Sequence, residues 1–255
     1  MFEDLAGRTA VVTGGARGLG LSAARALAGH GVRVGLLDVV SEVVDSAAAL
    51  SAETGAATLG VRADVVSAQD VAAAFAQVAG GLGSPSLLVN AAGITVWEDS
   101  IDAPAESWRR VIDINLTGTF LTCQALARAC RDDAHPGAIV NISSMSGRVV
   151  NVPQHQASYN ASKAAVDQLT QSLAVEWAEL GVRVNAIAPG YFLSDMTRQF
   201  TDANPELATR WRSMIPLGRM GEPPDLDALV VYLCSDASGY MIGQSVVIDG
   251  GYTVV

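Results

Sequence analysis

Lysine is nearly missing from this chain: Lys163 stands alone among 255 residues that include fifteen arginines. Charge is equally one-sided, with 26 acidic side chains against 16 basic ones and a net charge of −10. A nucleic-acid partner needs a basic footprint to displace counterions, so that class of function is excluded. Cysteine is scarce. Cys123, Cys130 and Cys234 are odd in number and form no Cys-x-x-Cys pair, which excludes a disulfide framework and a thiolate zinc site. His30, His135 and His155 have no ligand-like spacing, so no catalytic metal is expected, and no motif predicts a structural divalent cation near the C-terminal carboxylate. No apolar run reaches spanning length, and the acidic start Met1-Phe2-Glu3-Asp4 lacks the order of a signal peptide. A cytoplasmic protein is expected.

What is present is hydrophobic: half of the residues, with no long Ser/Pro linker, which predicts one domain over residues 1–255 with a well-buried core. Short β-branched runs alternate with Ala-rich amphipathic segments, the pattern of an α/β fold with a doubly wound parallel sheet and helices on both faces. Seven runs read as strands: Thr9–Thr13, Val32–Leu37, Ala56–Val61, Leu87–Asn90, Ala138–Ile142, Val182–Ile187 and Ser245–Ile248. Helices are predicted from the first strand's glycine turn to about His30, over Ala68–Gly80, over Pro104–Arg131 as one long element, from Tyr159 to about Leu180, and over Pro224–Ser235. The segment Ser194 to Trp211, with Met196, Phe200 and Trp211 among polar residues, has no strand character and reads as part of a mobile lid over about 191–215.

The lone lysine closes a Tyr159-Asn-Ala-Ser-Lys163 stretch. Residues four apart share a helix face, so phenol and ammonium are neighbours. A positive charge beside a phenol favours the phenolate, and the pair then makes a general base; the expectation is a tyrosine lowered from its ordinary value. A compact ammonium serves a phenol and a sugar hydroxyl together better than a planar guanidinium.

The first strand runs into Gly14-Gly15-Ala16-Arg17-Gly18-Leu19-Gly20 and then a helix. Glycine lets backbone approach a pyrophosphate, and the helix start offers N–H groups to it, so a dinucleotide site is expected. Asp38 ends the second strand, eighteen residues past Gly20, where a carboxylate accepts from ribose hydroxyls and repels a 2′-phosphate. NAD is therefore favoured over NADP; Arg17 is the residue that an NADP reading would need. Asp64, before Val65, faces an adenine or caps the next helix. Asn90-Ala91-Ala92-Gly93 puts small residues at a strand's carboxyl end, where ligands of such sheets sit. Asn115, inside the long helix, is either a satisfied core amide or the seat of a local distortion that holds a water. Ser143-Ser144-Met145-Ser146-Gly147 offers hydroxyls at another carboxyl end, and the loop Arg148–Gln156 carries Asn151, Gln154 and His155 towards the same mouth. No Gly-x-Ser-x-Gly elbow occurs, which disfavours a hydrolase.

Taken in order, Thr13-Gly14-x-x-x-Gly18-x-Gly20, Asn90-Ala91-Ala92-Gly93, Asn115, Ser144, Tyr159-x-x-x-Lys163 and Pro189-Gly190 resemble the short-chain dehydrogenase/reductase family over essentially the whole length. The resemblance implies a Rossmann-like sheet, a nicotinamide cofactor and a catalytic tetrad of Asn115, Ser144, Tyr159 and Lys163. It implies that Tyr159 is the acid/base, that Ser144 orients the reacting oxygen, that Lys163 binds the nicotinamide ribose and tunes Tyr159, and that Asn115 holds a relay water. Cofactor contacts carried over are Gly14, Arg17, Gly18, Leu19, Gly20, Asp38, Asp64, Val65, Asn90, Ala91, Gly93, Tyr159, Lys163, Pro189, Gly190 and Ser194. A homodimer or homotetramer built partly on the long helices is also implied.

Two positions depart from the family pattern. Ala91 stands where an asparagine is usual, and Ser144 lies fifteen residues before Tyr159, whereas Ser146 lies thirteen before it, the commoner interval. Ser144 is preferred from the Ser-x-x-Gly147 pattern, which leaves Ser146 as a substrate contact. The strings Ser144–Gly147 to Pro153-Gln154, Ala188–Tyr191 and Asp249–Tyr252 are similar to those of bacterial polyol dehydrogenases of the galactitol type. The expected activity is NAD-linked interconversion of a secondary alcohol, a polyol or sugar alcohol, and its ketone, with Ser144, Ser146, Asn151, Gln154 and Tyr159 meeting the substrate. An NADPH-dependent reductase of 3-oxoacyl or other ketones, and a non-catalytic dinucleotide-binding regulator, are the alternatives.

Overall fold

The computed structural model describes residues Phe2–Val255, without the side chains at 195, 196, 199 and 200. Met196 and Phe200, counted above among the apolar residues of the lid, thus have side chains outside the described ones. Among the described residues, strands β1 (Thr9–Thr13), β2 (Arg33–Asp38), β3 (Thr58–Arg62), β4 (Leu87–Asn90), β5 (Gly137–Ile142), β6 (Val182–Pro189) and β7 (Ser245–Ile248) form one parallel sheet. Its order is β3-β2-β1-β4-β5-β6-β7. The chain builds outward from β1 to β3, then returns to lay β4 against the other side of β1. Ligands of open parallel sheets settle in the crevice at such a reversal, beyond the carboxyl ends of the strands.

Every residue of β1 and β4 is buried, as continuous β-branched runs in a sheet covered on both faces should be. Alternation sends Ala10 and Val12 to one face and Val11 to the other. The first face packs on α1 (Gly18–Gly29), α2 (Val43–Thr54) and α9 (Asp227–Cys234), through Leu27, Leu50 and Val230 among others. The second packs on α3 (Ala68–Leu82), α5 (Gly118–Asp132) and α6 (Ala157–Glu176), through Phe75, Leu126 and Leu173. Ser67 starts α3: its hydroxyl accepts from the Asp70 N–H at 3.1 Å and donates to the Asp70 carboxylate at 2.9 Å.

Several elements differ from the sequence reading. The long helix expected over Pro104–Arg131 is α4 (Ala105–Ile112) joined to α5 through a π turn at Asp113–Thr117, which contains Asn115. The sixth strand runs two residues beyond Ile187, to Pro189, because Ala188 and Pro189 pair with Val247 and Ile248. Pro223 and Pro224 begin a tight 3-10 turn, so α9 starts only at Asp227. The stretch without strand character is helical: α7 (Asp195–Ala203) and α8 (Pro205–Ser213). This segment has an apolar cluster of its own, with Ala208, Trp211, Ile215 and Met220 packed against Tyr191 and Tyr252. No helix among the described residues is long and apolar enough to cross a membrane.

Candidate active site

The carboxyl ends of the central strands are tied together by side chains in register. Thr13 pairs with Asn90 and Asn90 with Asn141 across β1, β4 and β5. The Asn90 amide donates to Asn141 Oδ1 at 3.0 Å, and its oxygen accepts from Thr122 at 2.7 Å. Thr13 Oγ1 accepts from the N–H groups of Ala91 and Ala92, each at 3.2 Å. The Asn90 side chain is thus committed to the strand ends and is 3 % exposed, leaving the backbone that follows it to face a ligand.

Above this floor the glycine turn is shaped by close approach. Gly14 (φ 62°) and Gly18 (φ 60°) hold left-handed conformations, and a Cβ at Gly14 would lie 2.8 Å from Ala92 N. At Gly20 a Cβ would fall 2.2 Å from the Gly14 carbonyl oxygen. Arg17 is exposed at the N-cap of α1, and no described side chain caps that end, so the first-turn N–H groups open on the crevice. Asp38 sits half-buried beside the turn, its carboxylate accepting from Ala16 N at 3.1 Å and, at 3.4 Å, from Val40 N. These features fit a dinucleotide: a backbone cradle for a pyrophosphate at a helix start, with a carboxylate at the end of β2.

Asp64 does not cap α3, a task that falls to Ser67; its carboxylate accepts instead from Val66 N at 3.1 Å within its own turn. Val65 is buried beneath the π turn, where a Cβ at Gly118 would meet it at 2.7 Å. Ser194 caps α7, accepting from Thr197 N, and its Cβ lies 3.6 Å from where a Gly18 Cβ would be, which brings the 190s segment over the glycine turn. Gly190 follows Pro189 because a Cβ there would strike Asp249 at 2.7 Å.

Asn115, Ser144, Tyr159 and Lys163 come together at the ends of β4 and β5. Asn115 is a fully buried, satisfied amide, the first of the two alternatives, and it lies within a helix distortion. Its Nδ2 donates to Ile94 O at 2.9 Å and to Ser162 Oγ at 3.0 Å, while Oδ1 accepts from Ile94 N at 2.8 Å. Asn115 therefore locks the backbone one residue beyond Gly93. A Cβ at Gly93 would lie 3.2 Å from Asn115 Oδ1 and 3.6 Å from Lys163 Nζ, so only glycine fits that gap comfortably.

The Ser144 hydroxyl lies near enough to the Tyr159 phenol to hold its pKa down. The Ser-x-x-Gly spacing has a steric cause: a Cβ at Gly147 would lie 2.7 Å from the α6 backbone at Ala164, so glycine lets the serine turn dock on the helix that carries Tyr159. Ser146 stands behind Ser144, whose hydroxyl donates to it at 3.1 Å. Lys163 is 5 % exposed, donates to Ile142 O at 2.7 Å, and lies 5.7 Å from the centroid of the Tyr159 ring.

Burial pushes Lys163 down to about 8, opposed by the negative charge of Asp167. The expected lowering of Tyr159 counts on a cationic cofactor ring beside the ammonium, and the protein's own groups do not supply it by themselves. Loss of solvent pushes the phenol up from the ordinary tyrosine value, and the Ser144 hydroxyl opposes the rise without cancelling it. The ammonium is bonded to the Ile142 carbonyl and lies 5.7 Å from the centroid of the ring, which weakens its hold on the phenolate.

Asn151 and Gln154 do reach the mouth of the site, with amides turned to protein partners. Both donate to Tyr191 Oη, at 3.2 and 2.8 Å, and Gln154 Oε1 accepts from Trp211 Nε1 at 3.3 Å. Tyr191 stacks on Trp211 at 4.5 Å and meets Tyr252 edge-on at 5.5 Å; Trp97 lies edge-on to Trp211 at 5.8 Å. His155 is exposed, 3.9 Å from Asp99. Sequence reasoning missed Trp97, Tyr252 as a neighbour of Tyr191, and Gln156, which passed as ordinary loop polarity. Nothing local marks them, since their partners come from distant parts of the chain. No group of three or more His, Cys, Asp or Glu side chains among the described residues could hold a metal ion.

Residues 14–253 match the family model described as enoyl-(acyl carrier protein) reductase. The chain is 44 % identical over 251 residues to galactitol 2-dehydrogenase (L-tagatose-forming) of Cereibacter sphaeroides, covering 98 % of this chain and 96 % of that protein. The crystal structure of a short-chain type dehydrogenase/reductase from Mycobacterium marinum superposes with a TM-score of 0.94 at 40 % identity, covering 100 % of this chain and 98 % of the other. A protein from Agrobacterium tumefaciens solved with bound NADP gives a TM-score of 0.89 at 33 % identity, with 98 % of each chain covered.

Proposed function

The chain belongs to the short-chain dehydrogenase/reductase family and is an oxidoreductase acting on the alcohol–ketone pair, and on that premise we propose that its substrate is a polyol or sugar alcohol, its cofactor NAD and its acid/base Tyr159. The observation that carries the reading is the Tyr159 phenol held against Ser144, with buried Lys163 across its ring and Asn115 locked behind Gly93. When bound, the nicotinamide supplies the acceptor for the hydride that leaves the carbinol carbon. Gly14, Gly18, Gly20 and the open start of α1 would hold the pyrophosphate, Asp38 the adenosine ribose and Lys163 the nicotinamide ribose.

In the oxidative direction Tyr159, as phenolate, takes the substrate hydroxyl proton while Ser144 steadies the same oxygen; in reduction Tyr159 returns that proton to the carbonyl oxygen. Because burial raises the phenol, oxidation should be favoured by alkaline pH and reduction by neutral pH. Helices α7 and α8 would close over the substrate as the lid.

The polyol assignment leans on the galactitol relative. The loop amides on which the sequence argument relied are already engaged with Tyr191 and Trp211. NAD is proposed from Asp38. Glu42, exposed nearby and held below the usual carboxylate range by its own backbone, by Ser41 and more weakly by Arg17 and Arg62, would compete for the arginine that a 2′-phosphate needs. A second reading, an NADPH-dependent ketone reductase, is favoured by the NADP-bound relative. Two or four copies would cover exposed apolar residues such as Trp108 on α4 and Val175 on α6.

The test is the initial rate with NAD and NADP over a panel of polyols, simple secondary alcohols and ketones, with Tyr159→Phe alongside. Fast NAD-linked polyol oxidation is expected, lost by about 100-fold or more in the variant while cofactor binding persists. Turnover only with NADPH and apolar ketones would replace the polyol reading by the reductase, and no turnover on any substrate would leave a dinucleotide-binding regulator.

A further inference from the structure

One hydrogen-bonded chain leads away from Ser144 and is not absorbed by the reaction as described. The Ser144 hydroxyl donates to Ser146 Oγ at 3.1 Å, and Ser146 Oγ is also approached by Gln156 Nε2 at 3.4 Å. Gln156 Nε2 further reaches Asn151 Oδ1 at 3.2 Å and Asn160 Oδ1 at 2.9 Å. Ser146, Asn151 and Gln156 are all nine-tenths or more buried, so water does not stand in for a missing partner.

The orientation of Gln156 is fixed by its surroundings. Its nitrogen faces the amide oxygens of Asn160 and Asn151, which an amide oxygen in that place would oppose, and its two hydrogens are shared with Ser146 Oγ, the longest of the three contacts. At the far end Trp211 N–H can only donate, so Gln154 presents Oε1 to it and gives its nitrogen to Tyr191. Tyr191 also accepts from Asn151 Nδ2, and Asn151 Oδ1 accepts from Gln156. A donor-only indole on α8 thus sets the direction of Gln154, while that of Asn151 is set by Gln156, since the Tyr191 hydroxyl between them can donate as well as accept.

The consequence falls on Ser144. Its oxygen accepts the Ser146 backbone N–H at 3.1 Å, and its single proton has two destinations: Ser146 Oγ, or the oxygen of Tyr159 and of the substrate. We propose that Gln156 is a positioning residue: by donating to Ser146 Oγ it weakens that oxygen as an acceptor and so releases the Ser144 proton towards the reacting oxygens. This rests on the role of Ser144 given above, though not on which alcohol is the substrate.

The test is a double-mutant cycle on the full-length enzyme with NAD and its best alcohol, reading kcat, KM, and the pH midpoint of kcat. Gln156→Ala should lower kcat about fivefold with little change in KM, the weight of one neutral hydrogen bond. Its pH midpoint should move up, since a Ser144 proton withheld from Tyr159 stabilises the phenolate less. Gln156→Glu, of the same size, places an acceptor beside Ser146 and should lower kcat further. In a Ser146→Ala background, where the competing oxygen is gone, Gln156→Ala should not matter.

Additive effects in the cycle, or an unmoved pH midpoint, would overturn the proposal and assign Gln156 to packing alone. If Gln156→Ala does not fold, the isosteric Gln156→Glu carries the same cycle. Failure of the reading of the site is separate: Ser144→Ala as active as wild type would remove Ser144 from the reaction, whatever Gln156 does.

Discussion

The two sides of the crevice are built from opposite materials. On the β1–β2 side the contacts that matter are backbone, and the site consists largely of side chains that are not there: Gly14, Gly18 and Gly20 leave room that a single methyl would fill. On the β5–β6 side it consists of side chains that hold one another, from Ser144 through Gln156 and Tyr191 to Trp211. A backbone cradle offers its N–H groups whatever the side-chain chemistry and is intolerant of size. A hydrogen-bonded network is the reverse, forgiving of small volume changes and sensitive to which atom carries the proton.

That contrast can be broken at four places. The largest effect is expected at Gly20→Ala, where the new Cβ would meet the Gly14 oxygen at 2.2 Å; cofactor affinity by calorimetry should fall by about 100-fold or more, the upper range of overpacking costs. Retained affinity would mean that the turn opens without cost.

Lys163, where the two sides meet, comes next. Its pKa of about 8 in the folded protein lies below its ordinary 10.5, so the unfolded chain holds the proton more tightly. The cost of burying the charge is fully present below pH 8 and vanishes as pH rises towards 10.5. Wild type should therefore gain on Lys163→Met over that window, by at most about 3 kcal/mol in urea unfolding. The difference between the two proteins is the quantity to follow, because the buried thiols Cys123, Cys130 and Cys234, pushed up to about 12, make both lose stability above their ordinary value. A gap that stays constant with pH would show an ammonium at ease in its site.

Asp38→Ala should shift the NAD-to-NADP ratio of kcat/KM towards NADP by at least about tenfold, by removing a like charge from the 2′-phosphate position. An unchanged ratio would move the choice to Glu42 and Arg17. The smallest effect should come from Gln154→Met, similar in size and uncharged, which loses the donor to Tyr191 and leaves only a weak acceptor for Trp211; about 1 kcal/mol of stability should be lost. No loss at all would mean that the β5–β6 side, like the other, depends on shape alone.

The same contrast explains what was legible in the sequence. The strands at Thr9–Thr13, Leu87–Asn90 and Ser245–Ile248 have the bounds that their β-branched runs predict, and the glycine turn lies where strand meets helix. Glycine is informative because it marks a local backbone need. The long helix read as unbroken because a π turn shifts the apolar spacing by only about one residue and Asn115 is only an indifferent helix former. Asn151 and Gln154 were visible as polar residues near the mouth. Their partners Tyr191 and Trp211 lie 37 to 57 residues along the chain, and no local pattern records which way an amide faces. The direction of the Tyr159 shift escaped for a related reason: a helical spacing of four fixes proximity but not which oxygen the ammonium bonds.

The π turn at Asp113–Thr117 gives this chain an unusual tolerance at one point of its own coding frame. Such a turn accommodates roughly one residue more than a regular helix would over the same span. Loss of a single codon there would let α4 run straight into α5 with the residues from Gly118 onward still facing the sheet, at the expense of the local distortion that carries Asn115 and its clasp on Ile94. A deletion within the regular turns of α5 would instead rotate every residue after it by about 100°, swinging Leu126 and Cys130 off the sheet.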